Sequence, residues 1–111
     1  MATHTKNYYH QLQKESEMRK KQMTFREALI AARPLIASYK VAFICYALER
    51  VTGHKRYCKR IERQLEGCAS YGGWLYENHY ETWKRMDFRD FRNGRLQWID
   101  YMIAQEEARG R

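Results

Sequence analysis

Proline occurs once and glycine six times in these 111 residues, and no stretch alternates apolar and polar residues at period two. That scarcity of breakers, with no strand pattern, excludes a β-rich fold and predicts helices joined by short turns. No Ser/Gly-rich linker, repeat or low-complexity tract divides the chain, and its length is that of one domain. The longest apolar run, Val41 to Leu48, is too short to span a bilayer, so no membrane association is expected. The cysteines number three, an odd count that argues against a disulfide framework. Met1 to Lys21 holds no apolar leader, so the expected compartment is a reducing cytoplasm.

What is abundant is positive charge and aromatic surface. The net charge is +8, and its placement is one-sided: residues 1–66 carry 14 Lys/Arg against 6 Asp/Glu, whereas residues 67–111 carry seven of each. Such an excess attracts polyanions, whether nucleic acid, an anionic membrane surface or an acidic protein, and says nothing about fold. Nine Tyr and three Trp supply most of the aromatic content. Their apolar bodies and polar tips suit both half-buried core positions and contact surfaces.

Residues 1–23 read as a polar, basic N-terminal helix or arm, with Tyr8, Leu12 and Met18 its only well-spaced apolar positions. Residues 24–111 read as the helical core domain. Thr24-Phe25-Arg26-Glu27 matches a capping box, and Phe25, Ala28, Leu29 and Ala32 continue at helical spacing. Pro34 disfavours helix at Arg33 and predicts a short helix there, or one that continues with a kink. Phe43, Ile44, Ala47, Leu48 and Val51 form an amphipathic stripe that ends where Gly53 suits a left-handed residue. Residues 54–66 form the next helix, with Tyr57, Cys58, Ile61 and Leu65 on one side and five cations on the other. Ser70 is placed to cap a short helix bearing Trp74 and Leu75, but Gly72-Gly73 makes that helix poor, so a turn followed by about two helical turns is expected. The last segment starts near Thr82 or Asp87 and runs to about Ala108, with Phe91, Trp98 and Met102 along its core face and a break or restart expected at Asn93-Gly94. The class is therefore all-α: a compact bundle of four to five helices carrying a polar N-terminal helix or arm.

Lys55, Arg56, Lys59, Arg60 and Arg63 on the basic helix, with Arg19, Lys20 and Lys21 on the arm, are the candidate contacts to phosphate or to an acidic partner. The alternative is a solvated face that keeps a small protein dispersed. Helices 39–52 and 54–66 would also suit a helix-turn-helix, although Lys and Arg side chains favour phosphate contact over base reading. Tyr76, Tyr80 and Trp83 beside Lys84-Arg85 are candidate anchors for a partner or stacking platforms for bases; equally, they would cover the end of the core. His54, Cys58, Cys68 and His79 match no common zinc spacing, so no metal or other cofactor is expected. Neither Cys45 nor Cys68 sits in a nucleophile motif with His79, and Tyr71-Gly72-Gly73-Trp74 lacks the Lys and Ser/Thr of a phosphate loop. Asp87, Asp90 and Asp100, interleaved with Arg85, Arg89, Arg92 and Arg95, read as ion pairs along a helix surface. No enzyme is expected.

The strip Phe43-Ile44-Cys45-Tyr46-Ala47-Leu48, then Leu65-Glu66-Gly67, Trp74-Leu75 and Arg95-Leu96-Gln97-Trp98-Ile99-Asp100, resembles small phage- or prophage-encoded proteins of uncharacterised function. The likeness covers roughly residues 40–103, mainly core-type positions, and carries no catalytic or binding motif. It implies a host-directed accessory role in a bacterial cytoplasm, exercised by binding and inhibiting or redirecting a host protein or nucleoprotein complex, as anti-CRISPR proteins do. The alternative is direct binding of DNA or RNA through residues 54–66. A homodimer through the aromatic C-terminal helix is compatible with either.

Overall fold

The computed structural model describes residues 10–15, 18, 22–68, 70–87 and 90–110. Arg19, Lys20 and Lys21, together with Tyr8, Phe88 and Arg89, lie outside the described residues. Among the described residues there is no strand, and the chain is all-α. Residues 10–15 are helical. The helices that follow are α1 (Phe25–Ala37), α2 (Ile44–Thr52), α3 (Arg56–Gln64), α4 (Tyr71–Asn78), α5 (Tyr80–Trp83) and α6 (Phe91–Ala108).

Helix α1 starts where the capping box places it. Thr24 Oγ1 accepts from the Glu27 backbone N–H, and the Glu27 carboxylate accepts from the Thr24 N–H at 3.0 Å. Hydrogen bonding to the Thr24 backbone N–H, and next to its side chain, holds the Glu27 carboxyl below its usual pKa. The expectation that Pro34 shortens this helix is corrected: α1 continues three residues past it. Pro34 is exposed, and the carbonyl whose donor it removes belongs to Ile30, also exposed, so the lost bond falls on the solvent side of the helix rather than in the core. Beyond the proline, burial of Ile36 favours keeping the helix. Gly53 closes α2 in the left-handed region (φ 78°), as its position predicts. The buried Thr52 hydroxyl donates to the Leu48 carbonyl and accepts from the His54 N–H, so the turn into α3 leaves that polar group satisfied.

The core gathers around α1, which packs on both α2 and α6. Ala28, Ala32 and Ala47 are fully buried, and their small side chains let the backbones come close. Leu29, Ile36, Ile44, Leu48, Ile61, Leu75, Trp98 and Ile99 fill the space between. Polar ties cross the layers. The Tyr57 hydroxyl donates to the Met23 carbonyl, fixing the entry to α1 over α3. Arg33 grips Asp100 with two bonds, at 2.7 and 2.9 Å, although both ends are exposed and the pair is worth under about 1 kcal/mol.

The last segment also differs from its expectation. It divides into the short α5, a connection, and an α6 that runs through Asn93-Gly94 without a break. Asp90 caps α6 by accepting from the Arg92 N–H, and Gly94 is buried, so close packing outweighs its poor helix propensity. The Gln97 amide clamps the connection to the helix: it donates to the carbonyls of Asp87 and Asn93 and accepts from the Asp87 N–H. The expected pairing of aspartates and arginines along one helix surface is corrected for Asp90, Asp100, Arg92 and Arg95. Asp90 is a cap and Asp100 reaches α1, whereas Arg92 and Arg95 lie over aromatic rings.

Candidate interaction surface

Helix α3 follows its predicted polarity. Cys58 and Ile61 are buried, and Lys55, Arg56, Lys59 and Arg63 are exposed. Lys55, Lys59 and Arg63 make no ion pair among the described residues, and their i, i+4, i+8 spacing sets them in one row. Arg60 departs from that row. Its guanidinium lies 4.1 Å over the Phe25 ring and pairs with Glu106, a carboxylate only 1% exposed. Arg60 is thus engaged in holding α3 on α6, and the row of Lys55, Lys59 and Arg63 remains for an outside partner.

Tyr76, Tyr80 and Trp83 are brought together. Ser70 Oγ accepts from the Gly73 N–H and starts α4, while His79 breaks the helical path and turns the chain into α5. The turn lays Tyr76 edge-on against Trp83 at 4.8 Å and against Tyr80 at 5.4 Å, with Tyr80 stacked on Trp83 at 5.6 Å. Tyr76 and Tyr80 remain about half in solvent. Lys84 lies 6.0 Å over Tyr80 and pairs with Glu81.

A second aromatic group was not read from the sequence, which assigned Phe43 and Phe91 to core faces. Phe43 is the residue preceding α2 and Phe91 opens α6, so both rings fall outside the packed layers, 52% and 72% exposed. Arg95 lies 3.5 Å over Phe91 and 4.8 Å over Phe43, and Phe43 meets Tyr46 edge-on at 5.8 Å. Arg92 lies 4.3 Å over Tyr39 and donates to the Ala37 carbonyl. Tyr39 holds a left-handed backbone (φ 62°), which costs a non-glycine residue about 1 kcal/mol or more. The one available sequence signal was the i, i+4 spacing of Phe91 and Arg95.

A cavity of about 330 Å³ lies between the two aromatic groups, walled by Trp83 on one side and by Phe91 and Arg95 on the other, with Tyr71 and Gly73 beneath. A smaller one of about 210 Å³ continues from Phe91 and Arg95 to Tyr39. The rings therefore form a continuous strip running from α5 past the start of α6 to the end of α1. The basic row sits elsewhere: α3 touches α6 at Met102 and Glu106, about 10 and 16 Å along the helix from Arg95 at ~1.5 Å per residue.

The candidate ligands and nucleophiles are not assembled. Cys58 donates to the Cys45 carbonyl, Cys68 approaches Glu77, and the His79 ring sits between Trp74 and Tyr101 at 5.2 and 4.9 Å. Among the described residues no three His, Cys, Asp or Glu side chains gather as metal ligands. Burial pushes the Cys45 thiol up to about 12, and neighbouring Cys58, Glu62 and Glu49 push the same way. At pH 8 its alkylation by iodoacetamide should be about a thousand-fold slower than in the unfolded chain, as peptide mapping would show. Stability should also fall as pH rises from about 9 towards 12, because the unfolded thiol ionises first while the folded one stays protonated. Burial raises the Tyr71 and Tyr101 phenols as well and reinforces that loss.

The arrangement is that of a small all-α domain presenting surfaces. Among the described residues no helix is long and apolar enough to cross a membrane. No protein-family model, curated protein or solved structure matches the chain.

Proposed function

We propose that the chain is a non-enzymatic binding protein that docks on a larger protein or nucleoprotein complex through the aromatic strip, with the α3 cations orienting the approach. The observation that carries this reading is the exposure of Tyr39, Phe43, Tyr46, Tyr76, Tyr80 and Phe91, each half or more in solvent and grouped by ring and arginine contacts. Scattered apolar residues on a surface are ordinary; a grouped set is not, and Tyr and Arg are the side chains that dominate binding energy at interfaces. The sequence resemblance to phage accessory proteins supports a host complex as the target, with inhibition or redirection as the outcome and anti-defence action as one form of it.

The second reading, direct DNA or RNA binding, is favoured by one observation: Lys55, Lys59 and Arg63 stand in a row without ion-pair partners among the described residues. A salt series from about 50 to 300 mM with a labelled random 25-mer separates the two. Nucleic-acid binding through six to eight phosphates would show a log–log slope of roughly −5 to −7. The docking reading predicts weak binding, with no sub-micromolar affinity at about 150 mM salt.

Replacing Lys55, Lys59 and Arg63 together by Glu should leave the melting temperature within a few degrees, since all three are exposed. It should slow association with the partner by about ten-fold or more while changing dissociation less. Stopped-flow or surface-based kinetics would read the split, and unchanged association would reduce the row to a solvated face.

A further inference from the structure

We infer that Arg95 anchors a binding site for a small aromatic carboxylate in the cavity between α4 and α6. Arg95 is only 7% exposed, yet it makes no hydrogen bond or ion pair with the protein among the described residues. A buried guanidinium normally finds a carboxylate or carbonyl for its N–H groups. Here Phe91 and Phe43 lie against it at 3.5 and 4.8 Å, and aromatic faces satisfy the charge without supplying acceptors to the five N–H donors. Those donors form a planar fork whose natural partner is a carboxylate held by two bonds.

The surroundings fit an aromatic acid. The cavity that Arg95 lines is walled mostly by apolar surface, from Tyr71, Trp83, Phe91 and the glycines of α4 and α6. Its volume of about 330 Å³ holds roughly ten non-hydrogen atoms at the ~30 Å³ that a water occupies. The first turn of α4 lines the same space and brings the positive end of a helix dipole. Asp90 lies at the rim, but its carboxylate accepts from the Arg92 N–H and serves as the α6 cap. Desolvation lowers the Arg95 pKa, offset by the Tyr71 phenol and not by a carboxylate. The site does not depend on the docking reading: it is defined by a ligand of about ten atoms and is tested without a macromolecular partner.

The test is titration of the ¹⁵N-labelled full chain with sodium benzoate, and in parallel with benzamide, following the Arg95 Nε–H and Trp83 indole signals. Benzoate should shift both signals saturably, with at least ten-fold higher affinity than benzamide. Arg95→Met should erase that preference; if the variant fails to fold, the acid-to-amide ratio on the native chain decides alone. Phenylacetate and acetyl-Gly-Phe with a free or amidated terminus separate the two sources of such a group. Tighter binding of the acid dipeptide assigns the site to a peptide C-terminus, and tighter binding of phenylacetate to a free acid. Equal affinities for benzoate and benzamide, or benzoate shifts confined to Lys55, Lys59 and Arg63, would overturn the inference.

Discussion

Trp98→Ala should destabilise the fold by about 3–5 kcal/mol, the largest effect expected of any single substitution in this chain. Trp98 is fully buried, lies among the α1 and α6 core residues, and packs on Tyr71 with ring centroids 4.6 Å apart. Truncation removes the largest buried side chain and leaves a cavity that the flanking helices, tied by Arg33–Asp100 and Arg60–Glu106, close only in part. For a domain of this size the loss corresponds to a fall of roughly 15–25 °C in melting temperature. Trp98→Phe should cost much less, about 1 kcal/mol. It creates a smaller void, and it removes a buried indole N–H that finds no acceptor among the described residues, which relieves a standing penalty. Thermal melts of the two variants read the difference directly, and equal losses would contradict this assignment of the core.

The second large effect concerns Arg60. From its place on a basic helix it reads as a contact to phosphate, yet its partner is Glu106 at the far end of the chain. Arg60→Ala would leave that buried carboxylate, among the described residues, with Arg109 alone, 3.7 Å away, to offset its charge. Breaking a buried ion pair from one side costs about 3–5 kcal/mol; because Arg60 is one-third exposed and Arg109 remains, about 2–3 kcal/mol is expected here. Replacing Arg60 and Glu106 together by Met should recover most of the loss, since the desolvation cost of both charges disappears. Lys59→Ala, one residue away and exposed, should change stability by no more than about 0.5 kcal/mol. Urea melts of the three variants decide it. A double variant as unstable as Arg60→Ala would contradict the pairing.

That contrast marks where sequence reading stops. Signals that depend on a few neighbouring residues survive folding: the Thr24 capping box, Gly53 as a left-handed stop, and the Ile44, Ala47, Leu48 stripe all stand as read, whereas the turn expected at Gly72-Gly73 is instead the first turn of a helix capped by Ser70. Of the two outcomes open at Pro34 the helix continues, and Gly94 brings no break, because local propensity yields when burial favours continuing the helix, as it does at Ile36 and Gly94. The charged residues were legible only as a set. Periodicity separated the α3 cations from its apolar side, but could not foresee that Arg60 meets a residue 46 positions on. The grouping of Tyr76, Tyr80 and Trp83 was visible as a cluster in sequence. The grouping of Tyr39, Phe43, Tyr46 and Phe91 was not, since two chain segments about 50 residues apart meet there and helical stripes had placed Phe43 and Phe91 inside.

The strip is the centre of the account, and site-directed photocrosslinking tests it most directly. A photoreactive phenylalanine analogue placed at Tyr80, at Phe91 or, as a control, at exposed Glu107 of the full chain would be irradiated in a bacterial lysate. The account predicts one and the same adduct from positions 80 and 91, lost when Tyr76 is replaced by Ala, with none from position 107. Adducts arising equally from all three positions, or from position 107 alone, would contradict it.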